Sequence, residues 1–360
     1  MKITFFGLAI TSSWGNGHAT TYRALAQALH ARGHEVVFYE KDLEWYASNR
    51  DMPEPPFCKT RIYSDWNKIL PQIRRDLRES DVAVVGSYVP DGVRCIDEVL
   101  ASGTAVKAFY DIDTPITVEQ LRQHGQTEYL KAEQIPGFDI YFSFTGGPAL
   151  TELEKRFGAR RALPLYCSVD ASRYKPLAID PALACDMSYM GTYAPDRQPK
   201  LEAILNESAR QAPEMRFIVA GPQYPEPILW PKNVRRIMHL EPKYHPLLYS
   251  SSRLTLNLTR RDMVMAGHSP SVRLFEAAAC GAAIVSDNWP GLEGFFEHGR
   301  EILLAASAEE VLEFLRLPDM ELRRIGEAAR ARVLAEHASG RRAEQFETAV
   351  MTDVPTAANA

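Results

Sequence analysis

His18 follows a glycine-flanked turn, Trp14-Gly15-Asn16-Gly17, and opens an amphipathic run. A histidine in the first turn of a helix is kept neutral by the helix dipole, which makes it a candidate proton acceptor near pH 7. Asp111 and Asp113 stand where an apolar run ends, in Phe109-Tyr110-Asp111-Ile112-Asp113-Thr114-Pro115. A carboxylate there can orient the imidazole and stabilise its charged form. Asp113 reads equally well as the cap of a helix beginning at Pro115, and the Asp-x-Asp spelling admits a metal-diphosphate site as a competing reading. The third group is Glu276, set among Val272, Leu274, Phe275, Ala277, Ala278, Ala279 and Cys280. A carboxylate in such surroundings needs a partner. Either Arg273 pairs with it inside the helix or a ligand does. Ser269-Pro270-Ser271 is a helix start signal with proline at an early helical position, and Gly281 is a stop. The free N–H groups at such a start bind phosphate. Glu276 lies roughly 7.5 Å further along the axis, which suits a diphosphate at the helix start and a ribose diol on the carboxylate.

The Gly15-x-Gly17 turn also invites a dinucleotide reading. That fingerprint wants a third glycine, where Thr20 stands, and an acid about 20 residues on, where Glu40 ends an apolar run. A NAD-type nucleotide-binding protein is therefore one alternative, and a purely structural strand-to-helix turn is another.

Elements that would position these groups alternate along the whole chain. Strand-like runs fall at 2–9, 35–40, 60–64, 81–87, 105–111 and 139–144, with helical spacing between most of them. Tyr22, Leu25, Ala26 and Leu29, closed by Gly33, are one example of that spacing. After a proline-containing stretch without clear period (163–176), runs resume at 186–192, 216–221, 234–240, 253–258, 282–287 and 301–305. The pattern predicts an α/β fold of two Rossmann-like domains facing across a cleft, with ligands at the carboxyl ends of the strands. The expected division is 1–168, 169–335 and a terminal helix, 336–360, packing back on the first domain. No solenoid repeat or low-complexity tract occurs.

Composition agrees with two packed cores: 360 residues, 46% hydrophobic and 24% charged. The net charge of -5 gives no reason to expect nucleic acid as a partner. No apolar run reaches the ~20 residues of a membrane span. The opening Met1-Lys2-Ile3-Thr4-Phe5-Phe6 reads as a buried strand rather than a signal peptide. Five cysteines without metal-type spacing fit reduced thiols and a cytoplasmic location.

Several stretches resemble a known family. YMGTYAPDRQPKLE (189–202), SVRLFEAAACGAAIVSD (271–287) and RVLAEH (332–337) are similar to the CgeB-like (spore maturation protein) glycosyltransferases of the GT-B fold. The loop GNGHATTYRALAQALHARGHEVVFYE (15–40) resembles the glycine-rich loop and histidine of inverting enzymes of this fold, such as the lipid-linked N-acetylglucosaminyltransferase of peptidoglycan synthesis. The resemblance implies a metal-independent hexosyltransferase without a cofactor, using a nucleotide-sugar, with UDP as the expected carrier, and a hydroxyl acceptor. It implies that Glu276 holds the ribose and that the backbone at Ser271 and Val272, with Arg197, takes the diphosphate. His239, Leu240 and Tyr244 would border the base. Gly15, Gly17, Gly191, Ser269 and Arg273 complete the implied donor set. His18 and Asp113 would be catalytic, and Trp14, Tyr88 and Asp111 would meet the acceptor. One departure is His268: retaining members of the related superfamily carry a glutamate eight residues before the ribose one. A nucleotide-sugar epimerase of the same architecture and a binding protein with a decayed site are the rival readings.

Overall fold

The computed structural model describes residues 1–14 and 17–353. It divides into two compact units, residues 1–168 with 339–360, and residues 169–338. Unit 1 holds a seven-stranded sheet: β1 (Lys2–Phe6), β2 (Glu35–Lys41), β3 (Lys59–Tyr63), β4 (Val82–Gly86), β5 (Val106–Asp111), β6 (Ile140–Ser143) and β7 (Ala162–Pro164). Their order is β3-β2-β1-β4-β5-β6-β7, and every neighbouring pair is parallel. Unit 2 holds β8 (Cys185–Met190), β9 (Phe217–Ala220), β10 (Val234–Ile237), β11 (Ser252–Asn257), β12 (Ala283–Ser286) and β13 (Leu303–Leu304), in the order β10-β9-β8-β11-β12-β13, again all parallel.

The strands are apolar on both faces because helices cover both. In β4, Val82 and Val84 enter one core cluster, while Ala83 and Val85 enter the cluster on the opposite face. The helix Gly17–Ala31 buries Tyr22, Leu25, Ala26 and Leu29, the residues of its apolar period. Edge strand β3 is different: of Lys59–Tyr63 only Tyr63 is buried.

Boundaries differ from the sequence reading in places. β1 stops at Phe6, and the residues after Gly7 leave the sheet as a loop. β10 ends at Ile237, and β13 is only two residues long at the sheet edge. β7 lies partly in the stretch without clear period: a three-residue edge strand is too short to show an alternation. The helix Val272–Ala279 begins after Ser271, its N-cap residue, so Pro270 precedes the helix rather than opening it.

The last helix, Ser339–Asp353, begins two residues after His337 ends the preceding one. It packs on the helix Gly17–Ala31 of unit 1. Phe346 is fully buried against Phe5 and Phe142, with ring centroids 6.0 and 5.2 Å away. Glu347 meets both His34 and Arg32. No helix among the described residues is long and apolar enough to cross a membrane. Because Phe346 fills the space between two strands' side chains, Phe346→Ala should destabilise unit 1 by about 3–5 kcal/mol, measured as a lowered urea midpoint.

Candidate active site

In unit 1 the loop after β1 is pinned from two sides. Glu40, fully buried at the end of β2, accepts the backbone N–H groups of Ile10 (2.7 Å) and Thr11 (2.9 Å) and the Thr11 hydroxyl (2.5 Å). Its carboxylate is used up inside the fold and does not face a ribose, which removes the dinucleotide reading. Asp51 accepts the Ser13 N–H and hydroxyl and both terminal nitrogens of Arg23. Burial pushes the Asp51 carboxyl up, but these donors outweigh it and hold the acid well below its usual range.

His18 then enters the first turn of the helix Gly17–Ala31, nearly buried. Its Nε2 lies 2.9 Å from Asp113 Oδ2. Asp113 occupies the N-cap position of the helix Thr114–His124 but makes no side-chain cap bond. It accepts instead from the Ser87 hydroxyl at 2.9 Å. Tyr88, with its backbone in the left-handed region (φ 58°), sets its ring edge-on to His18 at 5.9 Å. Nothing within 4 Å of Gly17 would meet an added Cβ, so the fold itself does not demand glycine there. Gly15 lies outside the described residues.

Asp111 is not an acceptor-facing residue, which corrects the sequence reading. It is fully buried, and its oxygens accept from the Tyr141 hydroxyl (2.7 Å), the Thr117 hydroxyl (2.8 Å) and the Asp113 N–H (3.1 Å). Burial, with the nearby Asp113 charge, pushes its pKa up to about 7 against these hydrogen bonds. Thr117 also meets the Tyr129 hydroxyl (2.7 Å), and the Tyr129 ring lies 4.9 Å from Tyr88. Asp111 thus supports the His18–Asp113 pair from behind. The two carboxylates serve separate partners, Asp111 inward and Asp113 toward His18. Trp14 is exposed and sits against Trp45.

In unit 2, Asn257 at the end of β11 organises the start of the helix Val272–Ala279. Its Oδ1 accepts from the Ser271 hydroxyl (2.9 Å) and from Arg273 Nη1 (3.1 Å). Ser271 therefore does not cap its own helix, and no side-chain cap bond is made there. Ser269 is buried, while Val272 and Arg273 are half-buried. Arg273 also lies over the Tyr189 ring, 5.2 Å from its centre. A Cβ on Gly191 would fall 3.0 Å from Arg273 Nη2 and 2.8 Å from the Tyr189 hydroxyl, so glycine is what leaves room for the guanidinium. Arg197 donates Nη2 to the Thr192 carbonyl (2.7 Å), and its Nε has no partner. Burial lowers the Arg197 pKa, and the nearby Arg273 and Arg260 lower it further. Among the described residues no carboxylate is ion-paired with Arg197, Arg260 or Arg273.

Glu276 is 7% exposed. Tyr174 donates its hydroxyl to it, and burial pushes the Glu276 acid up to about 7 despite Tyr174, Arg273 and Arg173. The intrahelical Glu276–Arg273 ion pair does not form; Arg273 turns to Asn257. His239, Leu240 and Tyr244 lie on the loop after β10 and the short turn Pro242–Tyr244, with His239 and Tyr244 exposed. His245 pins this loop through Nε2 to the Leu240 carbonyl (3.1 Å). Burial pulls its pKa down to about 4, which keeps the ring neutral. Asn257, Tyr174, His245 and Arg260 were not singled out from sequence, because nothing in their local pattern marks them.

Glu276 carries a consequence for stability. Its folded pKa is raised above the unfolded value of 4.5, so its contribution is fully present below that value and is lost as pH rises through about 7. Glu276→Gln should therefore stabilise the ligand-free protein at pH 8 by up to about 3 kcal/mol and change little at pH 4. Denaturant titrations at the two pH values check the sign.

Comparisons with known proteins fit this geometry. Residues 197–348 match a protein-family model described as "Glycosyl transferase-like". No protein of curated function matches the chain. Among solved structures, sucrose-phosphate synthase from Thermosynechococcus elongatus superposes with a TM-score of 0.71 at 13% identity, covering 98% of both chains. HepE from Anabaena, solved with UDP-glucose, gives 0.69 at 12% identity, covering 98% of this chain and 100% of that one. A Listeria monocytogenes protein described as "putative UDP-N-acetylglucosamine 2-epimerase" gives 0.60 at 13%, covering 98% and 96%. The chain thus has the GT-B fold, two Rossmann-like α/β domains with parallel sheets, and over residues 197–348 it is similar to glycosyl transferases.

Proposed function

We propose that the protein is a glycosyltransferase that moves a sugar from a nucleoside diphosphate, with UDP as carrier, to a hydroxyl acceptor. The observation that carries this reading is Glu276: a buried carboxylate, one to two turns behind a helix start that carries no side-chain cap, on the same helix as Arg273, which has no ion-paired carboxylate among the described residues. A nucleoside diphosphate supplies what each of these groups wants. Its ribose diol donates to the carboxylate, and its phosphates meet the N–H groups at Ser271–Val272 and the guanidiniums of Arg197 and Arg273. The stretches that resemble CgeB-like enzymes include several of these residues. Five free cysteines suit the reducing cytoplasm, where nucleotide-sugars are made.

Unit 1 would supply the acceptor side. Asp113 on Nε2 orients the imidazole of His18, the group that would take the acceptor proton. The departing diphosphate is stabilised by the helix dipole and the arginines, so the chemistry asks for no divalent metal. A base on the acceptor suits direct attack from the face opposite the leaving group, and hence inversion at the anomeric carbon. An epimerase of the same fold would need no acceptor and would return an isomerised sugar nucleotide.

Calorimetry with UDP tests the donor site. Glu276→Gln should weaken binding by about 1.5–3 kcal/mol, although the same substitution stabilises the empty protein at pH 8. Unchanged UDP affinity in a folded variant would remove the ribose assignment. For the acceptor side, His18→Ala should lower kcat by ~10²–10⁴ in the presence of EDTA while UDP affinity stays near wild type. Proton NMR of the product from an α-linked donor should show a β linkage. An α product would take His18 out of the base role.

A further inference from the structure

Trp14 and Trp45 form an exposed aromatic corner on unit 1. Trp14 is 43% and Trp45 59% exposed, their ring centroids are 4.6 Å apart, and their planes cross at 66°. Trp14 lies on the loop after β1 and Trp45 on the short helix Glu44–Ala47 after β2. Both follow the carboxyl ends of adjacent parallel strands, the same rim of the sheet that presents His18 and Asp113.

The corner is rigidly mounted. The Ser12 hydroxyl donates to the Asn49 carbonyl (2.8 Å), and Ser13 is held by Asp51 through its N–H and hydroxyl. Arg50 bridges Thr11 (3.0 Å) and Asp42 (2.6 Å). The two loops are therefore tied to each other, and the indoles are the side chains they leave outside. Two adjoining tryptophans in water forgo a large burial energy, which a fold keeps when the faces are used.

The charges around the corner select the occupant. The cations of these loops are already matched to carboxylates: Lys41 to Asp91, Arg50 to Asp42 and Arg23 to Asp51. Glu44 is exposed in addition. Among the described residues of these loops no such cation is left over for phosphate or anionic lipid, and two rings are too small an area for a stable protein interface. The corner offers an apolar platform of one ring's size with the exposed Glu44 carboxylate at its margin. We propose that the Trp14–Trp45 corner is a saccharide subsite, taking a neutral or amine-bearing pyranose of the acceptor by stacking on one indole against the edge of the other. This deepens the proposed transfer by naming its acceptor class as carbohydrate, and it rests on that reading.

The test uses the full chain without nucleotide. Intrinsic tryptophan fluorescence is followed while cello-, malto-, chito- and chitosan oligosaccharides are added, with phosphatidylcholine/phosphatidylglycerol vesicles as a separate arm. At least one saccharide should give a saturable change at millimolar concentration or below. Trp14→Ala and Trp45→Ala should each weaken it by about tenfold or more, Trp45→Phe should recover part of the loss, and UDP affinity should not move. The proposal is overturned by no saturable response to any saccharide up to about 10 mM, by binding that survives both alanine variants, or by vesicle binding in place of sugar. Saccharide binding in a protein that makes no product from UDP-sugars would leave the corner standing and remove the transferase reading. Product formation indifferent to both substitutions would do the reverse.

Discussion

Unit 2 is organised around a charge that it does not neutralise. Glu276 sits on a helix whose residues, Arg273 apart, are otherwise apolar and pack between the sheet and the helix Asp319–Glu336. The packing is close: a Cβ on Gly326 would fall 2.1 Å from the Gly281 carbonyl oxygen. The carboxylate is thus carried into low dielectric with Tyr174 as its hydrogen-bond donor. Arg197 is half-buried, and the cations nearest it are other arginines. Burial pushes the acid up and the base down, each toward its neutral form. The two penalties share one remedy. On the proposed reading, an anion at the helix start would offset the guanidiniums, and a diol attached to it would donate to Glu276. The burial cost of Glu276 in the fold and the affinity proposed for a nucleoside diphosphate would then be two faces of one arrangement.

Unit 1 is built the other way. Glu40, Asp51 and Asp111 each accept several hydrogen bonds from within the fold, and each fixes a loop at the carboxyl end of the sheet. Glu40 holds the loop after β1, Asp51 ties that loop to the helix carrying His18, and Asp111 holds the Asp113 N–H. The His18–Asp113 contact stands at the end of this chain of supports. A hydrogen-bonded network of this kind orders the groups at its margin. The His18–Asp113 pair is thus held in place by the fold itself, while unit 2 keeps Glu276 as a costly buried carboxyl.

Much of this was legible in the sequence because the fold obeys local rules. Parallel strands buried on both faces read as continuous apolar runs, and the long helices between them keep their period, so the two-sheet α/β architecture follows from pattern alone. Glu276 was legible as a charge where charge is costly. What escaped was tertiary. Asp111 and Asp113 look equivalent in Asp-x-Asp, yet the peptide twist at the strand end turns one inward to Tyr141 and the other toward His18. Glu40 matched a ribose-binding acid by spacing, and only the path of the loop shows that Ile10 and Thr11 consume it. Asn257, which sets both Ser271 and Arg273, lies 14 residues before the first of them, in a strand whose pattern gives an asparagine no special role.

Backbone strain falls where these arrangements end. Tyr88, Gln223 and His268 are the non-glycine residues with positive φ among those described, at 58°, 68° and 45°. Tyr88 and Gln223 follow the carboxyl ends of β4 and β9, and His268 lies in the segment between β11 and its helix. Each conformation costs of order 1–3 kcal/mol and persists only where the surroundings over-determine it. For His268 the surroundings are visible: its N–H donates to the Pro290 carbonyl at 2.7 Å, and its ring lies where a Cβ on Gly291 would be, 2.3 Å from Nδ1. The ring is held against the loop after β12 by a glycine on one side and a strained backbone on the other. A glutamate at 268 would meet that same narrow space with a longer chain and a charge. The local packing thus keeps the His268 side chain close to the Pro290–Gly291 turn, while the closest histidine–carboxylate contact of unit 1 is that of His18 with Asp113.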